Sequence, residues 1–567
     1  MVLRPVIAIA ASAAACVTAG AARRAEVGPS LSAAEVAAGQ RIRAEEISGH
    51  LRFLADDLLE GRAPGTRGSE LGIRYLAAQL EGAGLVGGHL LPDGSRSFLQ
   101  PVPLVKLAAR VPPRVSFSGP GGQLDLATTG GKDAEIVLEP NGEIEAARID
   151  GAELVFVGYG IVAPEHGWDD YRGLDVRGKI VVLQNFNPPF AGERVRLWYG
   201  RWDYKFQTAA AHGAAGAILI HTTESAGYPW QVISSSADGT GYALPGEGEP
   251  RMQFQAWLSE PAAARLFRLG GHELASLRSR AQDPASKGIA PAPLGVRASF
   301  TMPVVRSVAR SANVLGLLPG TDPELRRELV VYTAHHDHLG MTPPVPPATD
   351  GLYNGALDNA SGCAALLAIA RAAAASPPKR SLLFAFVTAE EQGLLGARHL
   401  ARHPPAPPGR IAANINVDSV NRWGATREVG MLGLGKSTLD EVVKAVAAAQ
   451  GRTVHGDPYP DRGSFYRSDQ FEFARIGVPV VVAEGGPAYV GRGASWGKER
   501  REEFEEKHYH QPSDEYPPYP AAWDLSGAVE DARLHLIVGL RVADAPELPA
   551  WAPGDEFEKA RKAARRE

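Results

Sequence analysis

From Ser311 onward, four apolar runs, RELVVYTA, SLLFAFVT, IAANINVD and VPVVVAE, alternate with helix-patterned stretches such as SGCAALLAIARAAAA and STLDEVVKAVAAAQG. Runs apolar at successive positions suit strands covered on both faces, because neighbouring side chains point to opposite sides of a sheet. The alternation predicts an α/β fold with a mostly parallel central sheet flanked by helices. In the second helix, Thr438 and Glu441 are spaced as a capping box, and Gly451 is placed to end it. The Pro-rich stretches TPPVPPATDG and HPPAPPG read as loops, since Pro lacks the donor that a strand ladder needs.

At 567 residues the chain is too long for a single core, so more than one domain is expected. Residues 44–85 carry a helical periodicity in two segments around the turn EGRAPGTRGS, with Gly84 as a stop. Between 111 and 300 the pattern changes to short strands separated by Gly, Pro and Asp. There FQTAAAHGAAGAILIHTT reads as a helix feeding a strand, and the segment as an inserted β-rich domain with no coherent set of metal ligands. The division is therefore residues 40–110 and 301–545 for the main domain, 111–300 for the insert, and 546–567 for a charged, solvated, partly helical tail ending FEKARKAARRE.

The opening MVLRPVIAIAASAAACVTAGAARR matches a secretory signal peptide over residues 1–22, so export to the periplasm or medium is expected. A lipid-modified Cys16 is less favoured, because the usual Leu three residues earlier is missing. No later run reaches about 18 apolar residues, so no transmembrane segment is predicted. A net charge of −5 without a basic stripe argues against nucleic acid as a partner. With Cys16 in the leader, Cys363 stands alone in an Ala/Leu helix pattern and reads as a small buried hydrophobe. Oligomeric state has no signature here.

The stretch VTAEEQGLLG ends an apolar strand in two adjacent carboxylates, Glu390 and Glu391. Other strand ends and loops supply matching chemistry: His335-His336-Asp337-His338, Asp358-Asn359 in NGALDNASG, Asp418 after IAANINV, and His508-Tyr509-His510. In an open α/β sheet, ligands gather beyond the carboxyl ends of the strands. Imidazole and carboxylate are good Zn²⁺ donors, and so many suit two metals roughly 3.5–4 Å apart that share one carboxylate. One of the paired glutamates would bind metal, and its free neighbour would act as general base.

The stretches AHHDHLG, GALDNASG, TAEEQGLLGARHL, NVDSV and YHQPSDEY, in that order, resemble metallopeptidase family twenty-eight, the co-catalytic zinc aminopeptidases. The lead-in LRFLADDLLEGRAPGTRGSELGIRYLAAQLEGAGL is similar to that of many members, and FVGYGIVAPEHGWDDYRGLDVRGKIVVL resembles the protease-associated domain. The resemblance covers most of 45–540. It implies a zinc exopeptidase fold and two Zn²⁺ per chain acting on peptide substrates. His335 and Asp418 would serve one metal, Glu391 and His510 the other, and Asp358 would bridge. Glu390 would be the general base, Asp337 the acid that orients His335, and Tyr509 the phenol that supports the developing oxyanion. His336, His338 and His508 are left as structural or solvent-facing, and Asp469 as either a helix cap or a group touching the site. The alternatives are a glutaminyl cyclase-like zinc acyltransferase and a receptor-like binding protein without activity.

Overall fold

The computed structural model describes residues 30–128, 133–188, 197–236, 239–245, 250–343 and 350–566. The leader reading over 1–22, with Cys16, lies outside these residues.

The predicted strands form the middle of a mixed sheet. Its main strands are β1 (Ala292–Leu318), β2 (Leu329–His335), β3 (Ser381–Val387), β4 (Ile411–Asn416), β5 (Glu428–Leu432) and β6 (Val480–Gly485). They lie in the order β1-β3-β2-β4-β6-β5. The pairs β3·β2, β2·β4 and β4·β6 are parallel, whereas β1 and β5 join antiparallel at the flanks. Every residue of β2, β3 and β4 is buried, which is why their sequences are apolar without alternation.

The two faces feed separate cores. Val330, Tyr332, Phe384, Phe386 and Ile415 pack under the helices Ala44–Leu54, Arg67–Gly82, Gly362–Ala374 and Ser526–Asp544. Their neighbours Val331, Leu383, Ala385 and Val387 pack on the other side with Leu400, Phe471 and Trp551. Cys363 is buried in the Ala-rich helix, and burial pushes its thiol up to about 12, so it behaves as the expected inert filler.

One expectation needs correction and another an addition. Thr438 sits at the start of helix Leu439–Ala449 but makes no cap; its hydroxyl accepts the Ala550 amide, while Glu441 pairs with Lys444. The end of that helix is as predicted, with Gly451 at φ +74. The C-terminal stretch is partly helical and largely exposed, as expected, but it is anchored at Trp551, Phe557 and Arg561. It forms helix Glu558–Ala564, whose buried Arg561 donates to the carbonyls of Pro408 and Ile411, and Trp551 donates to Gly477 O. The insert is rich in strands, as expected, and carries helices of its own. Its strands Ala146–Phe156, Ile180–Gln184, Gly216–His221 and Phe254–Ser259 run parallel to one another, and helix Glu260–Leu269 packs into its core. Strand β1 runs through both units, pairing with β3 at one end and with Ala146–Phe156 at the other, so position 300 falls inside a single strand.

The helical lead-in holds the site loops in place. Its 3₁₀ turn Asp57–Arg62 ends in Arg62, only 1% exposed, whose guanidinium donates to the carbonyls of His336, Leu54, Asn354 and Gly355. Gly61 beside it has φ +65, and a Cβ there would lie 2.4 Å from Tyr353 O, so only glycine fits. Arg62→Ala should lower unfolding stability by about 3 kcal/mol, because four buried carbonyls lose a charged donor. A urea midpoint equal to that of the unaltered protein would refute the anchoring role.

Candidate metal centre

Strands β2, β3 and β4 are adjacent and parallel, so their carboxyl ends open on one crevice. β2 ends at His335, β3 delivers Glu390 and Glu391 through a turn with Ala389 at φ +56, and Asp418 follows β4. Asp358 arrives on the loop before helix Gly362–Ala374, and His510 on the loop after helix Trp496–Lys507.

Asp358 lies between two histidines. Its Oδ1 is 3.2 Å from His335 Nε2 and its Oδ2 is 3.2 Å from His510 Nε2. Asp418 Oδ1 stands 3.3 Å from His335 Nε2, and Glu391 Oε2 stands 3.1 Å from His510 Nε2. The donors thus form two half-sites joined by one carboxylate. Zinc–nitrogen and zinc–oxygen bonds of tetrahedral geometry place ligand atoms roughly 3.3 Å apart, so these contacts fit a shared metal. His335, Asp358 and Asp418, and likewise His338, Asp358 and Glu391, bring donor atoms within 4.8 Å of one another. Glu390 comes within the same span of His335 and Glu391, but not within 4 Å of a histidine nitrogen. Among the described residues, the metal-ligating groups lie only here.

The charges divide the two neighbouring glutamates. Burial works to raise Glu391, but His510 and His338 outweigh it and bring it down to about 2. Glu390 is pushed well above its usual value by burial, reinforced by Glu391, Asp418 and Asp469 against the pull of His335. Asp358 is held low because hydrogen bonds from His335 and His510 overcome its burial. His335 and His510 are raised, despite burial, by the acids around them.

Asp337 acts differently from the expectation. Its carboxylate is 3.9 Å from His335 Nδ1 and accepts instead the backbone amides of Glu390, at 3.1 Å, and Glu391, at 3.4 Å. The His335 ring meets the Asp337 carbonyl, at 3.3 Å. Tyr509 lies beside the centre, its ring stacked on His510 with centroids 4.0 Å apart. His336 points away to Ala312 O, and burial brings it down to about 4; His508 meets Ser513. Asp469 occupies the N-cap position of helix Gln470–Arg475 without capping it. Both its oxygens are buried without a hydrogen-bond partner, and its charge acts on His335 and Asp418.

Three contributors escaped the sequence reading. His338 is fully buried with Nδ1 2.7 Å from Glu391 Oε1; because β2 stops at His335, strand alternation gives no guide to where it points. Asp514, inside YHQPSDEY, accepts the amides of Leu357 and Asp358 and so positions the shared carboxylate. Asn359 ties the Asp358 and Asp418 loops together, accepting from Ser419 N and donating to Val417 O. Replacing Asp514 by Ala should lower stability by about 2 kcal/mol and weaken zinc retention about 10–100-fold in a chelator competition. Unaltered zinc affinity would remove Asp514 from this role.

Residues 313–536 match the family profile described as Peptidase family M28, and residues 144–249 match that of the PA domain. A probable zinc metalloprotease of Pyrenophora tritici-repentis (strain Pt-1C-BFP) is 46% identical over 66 residues, 12% of this chain and 15% of that protein. A probable zinc metalloprotease of Phaeosphaeria nodorum (strain SN15) is 33% identical over 118 residues, 19% of this chain and 23% of that protein. The matched stretch thus spans less than a quarter of either curated relative. Among solved structures, the aminopeptidase from Aneurinibacillus sp. strain AM-1 has the same fold, with a TM-score of 0.51 at 19% identity over 92% of this chain and 98% of that one. Residues 313–536 thus match peptidase family M28, and the match to the PA domain precedes the strands that present the donor cluster.

Proposed function

We propose that this protein is an exported dinuclear zinc exopeptidase that removes residues from the amino ends of peptides. One observation carries the reading: Asp358 turns one oxygen to His335 and the other to His510, joining two donor sets. In this reading His335 and Asp418 would hold one ion, Glu391 and His510 the other, and Asp358 would serve both. Zinc, when bound, supplies Lewis acidity that lowers the pKa of water and polarises a carbonyl.

Glu390 is the side chain left over. Raised by burial and by the acids around it, its carboxylate is tuned to take a proton from the attacking water and pass it to the leaving amine nitrogen. Asp337 holds the amides of both glutamates and fixes the turn on which that transfer depends. The phenol of Tyr509, kept protonated by burial, donates a hydrogen bond to the substrate oxygen that gains charge. The acid surplus favours a free α-ammonium group in the crevice, which supports action at the amino end, as does the aminopeptidase of like fold. A mono-zinc acyltransferase has less support, because it would leave no use for a carboxylate with histidines on both sides.

Glu390→Gln should keep two zinc ions per chain by mass spectrometry while turnover falls about 10²–10⁴-fold. Near-normal turnover, or a single zinc in the unaltered protein, would overturn the assignment. N-acetylated peptides should resist cleavage that their free counterparts undergo. Export predicts that the protein recovered outside the cytoplasm has lost about the first 22 residues; cleavage indifferent to acetylation, or an intact cytoplasmic chain, would count against these two parts.

A further inference from the structure

Arg467 stands in the loop before helix Gln470–Arg475, and its guanidinium lies over the ring of Tyr228, 5.6 Å from the centroid. Tyr228 belongs to the PA domain, and a Cβ on its neighbour Gly227 would touch Arg462, 3.4 Å away, on the same loop. The PA domain therefore forms part of the wall here. The loop of Arg467 borders the metal centre: the adjacent Ser468 accepts a hydrogen bond from Asn416, at 2.9 Å, at the end of β4 just before Asp418, and the charge of Glu390 acts on the guanidinium.

Among the described residues no carboxylate lies within 4 Å of the Arg467 guanidinium and it donates no hydrogen bond. Glu505, whose charge also reaches it, is engaged by Arg462 at 2.6 Å and by Arg501 at 3.3 Å. A planar fork of donors, half-buried and backed by an aromatic face, is prearranged for a carboxylate. The acids of the centre act on this guanidinium only through space, and among the described residues none is hydrogen-bonded to it.

We infer that Arg467, braced by Tyr228, binds a carboxylate of the peptide substrate, so that the site selects peptides with an anionic group near the scissile bond. The inference rests on the peptidase reading. The carboxylate has two sources: the α-carboxylate of a very short peptide, or an Asp or Glu side chain.

Two matched pairs separate them: Leu-Gly against Leu-Gly-amide, and Leu-Glu-Gly-amide against Leu-Gln-Gly-amide. The unaltered protein should show a lower KM for the carboxylate member of at least one pair, and that pair names the source. Arg467→Met should reduce the preference about 10- to 100-fold, as expected for a lost charged hydrogen bond. Arg467→Lys should retain part of it, and Tyr228→Leu should weaken it from the PA side; these two decide the matter if thermal melting shows Arg467→Met misfolded. An unaltered protein blind to the carboxylate in both pairs, or a Met variant that slows all four substrates equally, would overturn the inference. If none of the four is cleaved, the peptidase reading fails, while calorimetric titration of the same peptides into Glu390→Gln, with and without Arg467→Met, still decides: preferential binding lost with Arg467 supports it, and equal binding overturns it.

Discussion

Six carboxylates, Asp337, Asp358, Glu390, Glu391, Asp418 and Asp469, crowd the carboxyl ends of three strands around three imidazoles, His335, His338 and His510. Burying that much like charge is costly, and only partners of opposite sign or hydrogen-bond donors offset it. The chain supplies some of these itself. Asp358 and Glu391 each face two histidines, and Asp337 accepts two amides. Asp469 has none, and burial with repulsion from neighbouring acids drives it well above the usual carboxylate range. Divalent cations are the natural completion of such a set, and the spacing of the donors suits them.

Holding groups that repel one another requires a stiff frame. The central strands are buried end to end on both faces, so their tips cannot drift apart without opening two cores. The loops beyond them are tied from a distance. Arg62 gathers carbonyls from the His336 and Asn354–Gly355 loops, Asp514 grips the backbone at Asp358, and Asn359 links Asp358 to Asp418. None of these three is itself at the metal-facing contacts, yet each sets where a donor sits.

The PA domain joins this frame rather than hanging from it. Strand β1 is shared by both sheets, and Tyr228 reaches the loop that carries Arg467 and Asp469. A domain inserted between the lead-in and the strands of the centre thus packs against a loop beside the donor cluster, which gives its position in the chain a structural reason.

Much of this was legible because it is local. Apolar runs named the strands, their last residues named the donors, and glycines such as Gly84 and Gly451 marked where helices stop, since each depends on side-chain periodicity or on a single backbone angle. What was missed depends on partners far away in the chain. Thr438 looked like a cap until the Ala550 amide took its hydroxyl, and nothing in the basic C-terminal stretch marked the hold of Arg561 on the carbonyls of Pro408 and Ile411. Asp514 meets Asp358 across 156 positions and Arg62 meets His336 across 274. The sequence by itself determined which residue types stand at the strand ends and hence the chemistry open to them. Only the tertiary structure decided which oxygen faces which histidine, that His338 meets Glu391, and that Asp337 accepts the amides of both glutamates, because hydrogen-bond partners are chosen by packing in space and not by spacing along the chain.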